Sequence, residues 1–232
     1  KNDLTLSVSD AASVTQATSI IDATKNDTVA FNVGISDSLA ELNGTDILTK
    51  ITTADPDVAI SFDEITDADA TNKTHLNAVL AAITGTVSGS LTGPVDVLSL
   101  ITDNTTSNAT NDLTLTVTDP VDKTKFNTIM GKTSITTVAF SAGISDSLSN
   151  LNEISATIKT ADPDVAISFT DTFTTLAPAN GTNKDHLNAV LDATSGNVNG
   201  SLTGRADVLS LITPNPNGGT KNDLTLTVND ET

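Results

Sequence analysis

The sequence predicts an α/β protein, a β/α solenoid of about nine parallel strand rungs with short helices between them. Two observations support this prediction. The 232-residue chain repeats itself at two length scales, and most of the shorter repeats combine an alternating strand pattern with a helical one. The alternative is two tandem all-β immunoglobulin-like sandwiches, because about 110 residues suit such a domain. That fold predicts antiparallel strands and no helices.

The longer repeat divides the chain into two copies. The segments that recur include residues 54–62 as 161–169, residues 75–80 as 186–191, and Asn-Asp-Leu-Thr-Leu beginning at Asn2, Asn111 and Asn222. We therefore expect repeat copy 1 at residues 1–110 and repeat copy 2 at residues 111–221, each with four rungs. Residues 222–232 are expected to form the first strand of a further repeat or an assembly strand.

The shorter repeat, of about 27 residues, marks the strands. Nine segments alternate apolar and small polar residues, the period-2 pattern of a half-buried strand. They begin near Asp3, Thr28, Asp57, Thr86, Asp112, Thr137, Asp164, Asn197 and Asp223. Aligned on these starts, the apolar residues form three inward columns, which in the second rung are Val29, Phe31 and Val33. The same alignment places Leu4 beside Val29.

Helical spacing follows several of these strands. Apolar residues at i, i+3 and i+4 form one helix face in three segments: Leu76, Val79, Leu80 and Ile83; Phe126, Ile129 and Met130; Leu187, Val190 and Leu191. Asp10 and Asp119 are the expected N-caps, the latter because Pro120 suits the first helical position.

Composition and charge exclude several classes of function. Eleven Lys and Arg residues against 29 Asp and Glu residues leave a net charge of −18, and Arg205 is the only arginine. A surface that binds nucleic acid or an anionic membrane is therefore excluded. The lack of cysteine excludes disulfides, thiolate metal sites and cysteine nucleophiles. No run approaches about 18 apolar residues, so no transmembrane segment is expected.

No catalytic motif is present. The sequence contains neither a phosphate-binding loop nor the nucleophile elbow of a serine hydrolase, so we predict that the chain is not an enzyme. The chain has no initiator methionine and no signal-like start, from which we expect a stretch of a longer protein.

Aspartates are the candidate ligands for calcium, which binds hard carboxylate oxygens. Of the 29 acidic residues, 25 are Asp. The best local candidates are two pairs and a cluster: Asp55 with Asp57, Asp162 with Asp164, and Asp63, Asp67 and Asp69. The chain lacks the EF-hand loop and the glycine-rich nonapeptide of calcium β-rolls. Aspartate also caps helices and forms turns, so a calcium role and a structural role both stay open.

Three segments, residues 10–14, 34–42 and 117–119, resemble the Thr/Asp-rich tandem repeats of very large bacterial surface proteins. Such repeats occur in extracellular surface-layer, adhesin and filament proteins of marine and cyanobacterial type, and in related phage appendages. The resemblance implies an extracellular or cell-surface location, or alternatively a virion surface. It also implies a structural or adhesive role with frequent calcium dependence.

We expect a structural repeat protein that assembles into a filament, sheath, surface layer or virion fibre. The strands at residues 3–8 and 223–228 have nearly the same sequence. Neither strand looks capped, and open strand edges allow a stack to continue, by self-association or within a longer repeat array.

The alternative function is an adhesive binding module of a large surface protein, with calcium dependence, for a glycan or another surface. Its candidate surface is the two longest breaks in the rung pattern, residues 63–74 and residues 170–184, because insertions in solenoids often bind. The second insertion contains Phe173, the one aromatic residue expected to be exposed.

Overall fold

The computed structural model describes residues 6–24, 28–103, 111–171, 173–176, 181–213 and 223–228. The chain divides into two compact units, residues 1–116 with 129–137, and residues 117–128 with 138–232. The elements in chain order are β1 (Leu6–Val8), α1 (Val14–Thr24), β2 (Val29–Phe31), β3 (Ile35–Asp37), α2 (Leu39–Leu42), α3 (Thr45–Ala54), β4 (Ile60–Phe62), α4 (Ala70–Ala82), β5 (Val87–Gly93), α5 (Val95–Leu98), β6 (Asp112–Val117), α6 (Lys123–Met130), β7 (Ile135–Phe140), β8 (Ile144–Asp146), α7 (Leu148–Ala161), β9 (Ile167–Phe169), β10 (Phe173–Leu176), α8 (Gly181–Ala193), β11 (Val198–Gly204), α9 (Ala206–Leu209) and β12 (Asp223–Val228).

The strands pair in parallel, as the α/β prediction requires. Strand order is β1-β2 in one sheet, β3-β4-β5-β6-β7 in a second and β10-β11-β9-β8 in a third, with β12 also on β11. The β1–β2, β3–β4, β8–β9 and β11–β12 pairs are among the parallel ones. The mixed α/β class is therefore confirmed. The immunoglobulin-like alternative is wrong, because it requires antiparallel strands and no helices.

A strand lies at each of the nine predicted segments, and β3, β8 and β10 are additional. The pairing register, however, differs from the predicted alignment by two residues. Leu6, rather than Leu4, lies beside Val29. The same displacement occurs in three further pairs: Ile60 with Val87, Ile167 with Val198, and Gly200 with Leu224. Because side chains alternate with a period of two, a shift of two residues does not by itself move any side chain to the opposite face.

The third inward column is wrong in the second rung. Val33 is 58% exposed, because it lies in the turn between β2 and β3. Gly34 ends that turn with a φ of 93°, and a Cβ there would lie 2.5 Å from the carbonyl oxygen of Ala59. The buried position passes to Ile35 after the turn. Repeat copy 2 has the same arrangement at Ala142, Gly143 and Ile144.

The predicted helix faces form much of the core. All the members of the α4 and α8 faces are fully buried, as are Phe126 and Ile129 on α6. Met130 is only half-buried. The predicted pattern therefore identifies the core side of each helix.

The predicted N-caps are wrong by three residues. Ser13, not Asp10, precedes α1, and its Oγ accepts the N–H of Gln16 at 3.2 Å while its own N–H donates to Gln16 Oε1 at 2.8 Å. Asp122, not Asp119, precedes α6 and accepts the N–H of Lys125 at 2.8 Å. Both residues satisfy N–H groups that have no partner within the helix.

The two insertions contribute to the sheets. In residues 63–74, Ile65 forms a parallel bridge with Leu91, and its N–H donates to the carbonyl of Ser90 at 3.0 Å. In residues 170–184, β10 pairs with β11 and places Phe173 beside Leu202. The side chain of Phe173 lies outside the described residues, so its predicted exposure stays a prediction.

Candidate functional site

The first predicted aspartate pair lies between helix α3 and strand β4. Asp55 is the C-cap of α3, and its N–H donates to the carbonyl of Ile51 at 2.8 Å. Asp57 follows in the turn, after Pro56, which cannot continue a helix. Asp55 Oδ2 accepts the N–H of Phe31 at 2.8 Å. One carboxylate therefore joins the end of α3 to strand β2, which precedes it by 24 residues.

Repeat copy 2 reproduces this arrangement at the end of helix α7. The N–H of Asp162 donates to the carbonyl of Ile158 at 3.0 Å, and Asp162 Oδ2 accepts the N–H of Phe140 at 2.7 Å. Asp162 is only 9% exposed. Asp164 occupies the turn that follows. The repeated Ala-Asp-Pro-Asp sequence thus makes the same contact in both copies.

Each pair brings two carboxyl groups together. Burial raises the pKa of Asp55, the hydrogen bond from Phe31 lowers it, and the hydrogen-bonded, negatively charged Asp57 raises it, so that the pKa is raised overall. The pKa of Asp162 is raised by burial and by Asp164 in the same way, against the hydrogen bond from Phe140. Bringing these carboxylates together in their charged forms therefore carries an electrostatic cost.

A surface cavity of about 350 Å³ adjoins the first pair. It is lined by Asp55, Asp57, residues 30–32 and residues 58–59. Calcium takes about six to eight oxygen ligands. Among the described residues, no group of three or more His, Cys, Asp or Glu side chains is arranged to hold a metal ion. Each pair supplies two carboxylates, and calcium binding stays a prediction.

One member of the predicted aspartate cluster, Asp69, has a structural role. Asp69 is the N-cap of α4 and accepts the N–H groups of Thr71 and Asn72, both at 2.8 Å. Asn72 Oδ1 accepts the N–H of Asp69 in return, at 3.0 Å, which completes a capping box. Asp63 and Asp67 are exposed. The structure does not gather the three carboxylates into a metal-holding group.

Sequence reasoning missed a set of hydrogen bonds in which an aspartate caps a helix that begins 23 residues earlier in the chain. Asp37 Oδ2 accepts the N–H of Val14, the first residue of α1, at 3.0 Å. Asp146 Oδ2 accepts the N–H of Lys123, the first residue of α6, at 2.9 Å. Asp171 accepts the N–H of Leu148, the first residue of α7. The sequence separation is 23 residues each time, which is the offset between paired strands in this part of the fold.

Asparagines make similar contacts between neighbouring segments. Asn77 Oδ1 accepts the N–H of Thr102 at 2.9 Å, and its Nδ2 donates to the carbonyl of Leu100 at 3.1 Å. Asn188 repeats both contacts with Thr213 and Leu211. Asn111, which is 5% exposed, accepts the N–H of Val87 at 2.9 Å. The polar residues of this chain therefore connect successive β/α segments.

Asp146 differs from the two aspartate pairs in its titration. Burial acts to raise its pKa, but hydrogen bonds from Asn150, Lys123 and Ser147 and the charge of Lys123 outweigh burial and lower it. The folded protein therefore favours the ionised form of this cap. Its contribution to stability is present above the unfolded pKa of about 3.9 and is lost as the pH falls through the folded value.

Asp164→Asn is expected to stabilise the protein at pH 7, by about 0.2–1 kcal/mol for a solvent-screened charge pair. The folded state binds the Asp162 proton more tightly, so the stability from that group is present below about pH 3.9 and is lost as the pH rises through its folded pKa. Removing the negative charge of Asp164 reduces this loss of stability. The gain should disappear near pH 3, where Asp162 is protonated.

Urea denaturation at both pH values, followed by far-ultraviolet circular dichroism, measures the change. The control is Asp63→Asn, which removes the same charge from an exposed residue. An equal stabilisation by both variants would show that net charge, and not the pair, is responsible.

None of the helices within the described ranges is long and apolar enough to cross a membrane. Comparison of the chain with protein-family models, with curated proteins and with solved structures finds no match in any of the three.

Proposed function

We propose that this chain is a structural repeat protein, a β/α solenoid that associates with itself into a filament, sheath, surface layer or fibre outside the cell or on a virion. The observation that supports the proposal is the recurrence of the same contacts between successive segments. Parallel strands pair at offsets of 23 to 31 residues. Aspartate and asparagine side chains add hydrogen bonds across the same offsets. Contacts between segments that follow one another in the sequence are typical of repeat proteins.

The charge of the chain bears on how molecules approach one another. A net charge of −18 on 232 residues causes repulsion between molecules, which cations reduce. Calcium is the proposed cation, and the pairs Asp55 with Asp57 and Asp162 with Asp164 are its proposed contacts. The resemblance to Thr/Asp-rich surface proteins agrees with this proposal and with an extracellular location.

The adhesive alternative has less support. The segments that would carry its binding surface take part in strand pairing, through Ile65 with Leu91 in the first insertion and through β10 with β11 in the second. A binding surface there would have to be compatible with this strand pairing.

Negative-stain electron microscopy with sedimentation velocity tests the proposal on the purified chain, in calcium, in magnesium and in chelator. The chain has no Trp or Tyr, so its concentration must be measured in the far ultraviolet. We expect regular filaments or sheets in calcium that chelator dissolves. Assembly in all three conditions would support self-association and contradict a requirement for calcium. Particles of single-molecule size in every condition, at high concentration, would contradict the proposed function.

A further inference from the structure

One strand sequence occurs in two different surroundings. Strands β6 and β12 are identical, Asp-Leu-Thr-Leu-Thr-Val. β6 lies between β5 and β7, and its three apolar side chains are fully buried. β12 pairs with β11, and among the described residues no strand pairs with its other edge. Its Leu226 and Val228 are 46% and 55% exposed. Within the described residues, the second strand edge and the apolar side chains are therefore covered in β6 but uncovered in β12.

The neighbours of β6 recur elsewhere in the chain. β5 and β11 differ at one residue of seven, Ser88 against Asn199. β7 ends in Thr-Val-Ala-Phe, and the same four residues run from Thr28 to Phe31 through β2. The interior order β5-β6-β7 therefore has a counterpart made of β11, β12 and a β2 strand. Only the β2 member is missing beside β12 within the described ranges.

Strand β1 shows how a strand with nearly the sequence of β12 pairs with β2. β1 is the same segment with Ser7 in place of threonine, and it lies parallel to β2 with Ser7 beside Ala30 and Val8 beside Phe31. The N–H of Asn32 donates to the carbonyl of Val8 at 3.0 Å. The corresponding bond beside β6 joins Ser141 N–H to the Val117 carbonyl, also at 3.0 Å. The β1–β2 pair and the β6–β7 pair thus share one register.

We propose that β12 of one molecule pairs with β2 of a second molecule, in the place that β1 holds in the single molecule. This inference identifies the contact for the self-association proposed above and rests on it. Leu226, Thr227 and Val228 would lie beside Val29, Ala30 and Phe31 of the second molecule.

The exchange preserves the local chemistry. Ser7 Oγ accepts a hydrogen bond from Asn32 Nδ2 at 2.8 Å, and the Thr227 hydroxyl can accept the same bond. Replacing a strand by its near copy keeps the hydrogen bonds of β2, so its cost is low. The exchange covers the apolar side chains of β12 and pairs its open edge, while the released β1 loses its pairing with β2.

Cysteine cross-linking tests the register, because the chain has no cysteine of its own. Thr227→Cys protein is mixed with Ala30→Cys protein that carries a tag of different mass, and the mixture is oxidised under assembly conditions. Adjacent strands lie about 4.8 Å apart, within disulfide range. The control is Thr225→Cys with Ala30→Cys, which is displaced by about 6.6 Å along the strand and so out of range. We expect the mixed dimer only with Thr227→Cys.

A second measurement uses the exposed apolar residues. Leu226→Asp is expected to raise the concentration needed for assembly by about tenfold or more, the equivalent of about 1.4 kcal/mol. Leu211→Asp, at a residue that is 58% exposed, should leave it unchanged. Circular dichroism checks that both variants fold. If the unmodified chain never assembles, the proposed function fails. If it assembles while both cysteine pairs cross-link equally, or neither does, and Leu226→Asp has no effect, the strand exchange alone is wrong.

Discussion

Phe126→Ala is expected to lower the free energy of unfolding by about 3–5 kcal/mol. Phe126 is fully buried on α6, and its ring centroid lies 5.1 Å from that of Phe140 at the end of β7. Aromatic rings at this distance attract one another beyond the burial of their area. Alanine would leave a cavity in a close-packed core, and the loss of these contacts adds to the lost hydrophobic transfer free energy.

Urea denaturation followed by far-ultraviolet circular dichroism measures the change. Phe126→Leu retains an apolar side chain of similar volume and is expected to cost less, about 1.5 kcal/mol. Met130→Ala, at a half-buried residue of the same helix, is a further control. If Phe126→Ala is no more destabilising than Met130→Ala, α6 does not pack against the strands as described.

Gly85→Ala is expected to destabilise the protein by about 3 kcal/mol, at the upper end of the range for overpacking. A Cβ at Gly85 would lie 2.1 Å from the carbonyl oxygen of Val58. Gly196, its counterpart in repeat copy 2, would place a Cβ 2.3 Å from the carbonyl oxygen of Asp164. These contacts are with the backbone of an earlier segment of the chain, which cannot rotate away, so the two segments would have to separate.

The same denaturation experiment tests Gly85→Ala and Gly196→Ala against Gly44→Ala. At Gly44 the three atoms nearest to the new Cβ belong to the side chain of Ile47, and the nearest of them, Cδ1 at 2.7 Å, can move away by a change of rotamer. Backbone entropy favours alanine over glycine in the folded state, so it cannot cause a loss of stability. A similar loss in all three variants would contradict the assignment of the effect to close contact with the backbone of an earlier segment.

The aspartate pairs show how far local sequence information extends. Their two carboxylates are separated by a single proline, so their proximity could be expected from the sequence alone. Their hydrogen-bond partners could not, because Phe31 and Phe140 lie 24 and 22 residues earlier in the chain. The same applies to Asp37 and Asp146, which cap helices that begin 23 residues earlier in the chain. The hydrogen bonds that Asp55 and Asp162 accept from backbone N–H groups are therefore a role that the sequence did not indicate, and calcium binding by the pairs stays a prediction.

The sequence by itself determined the α/β class, the approximate location of nine strands, and the buried faces of helices α4, α6 and α8. These properties depend on the period of the apolar residues, which is local and is the same in both repeat copies. Only the tertiary structure decided the register, because displacements of zero and two residues bury the same faces. The tertiary structure also decided the turn at Gly34, the added strands β3, β8 and β10, and the partners of the aspartates, which depend on neighbouring β/α segments. Contacts between segments more than 20 residues apart in the chain determine the register, the turn, the added strands and the aspartate partners.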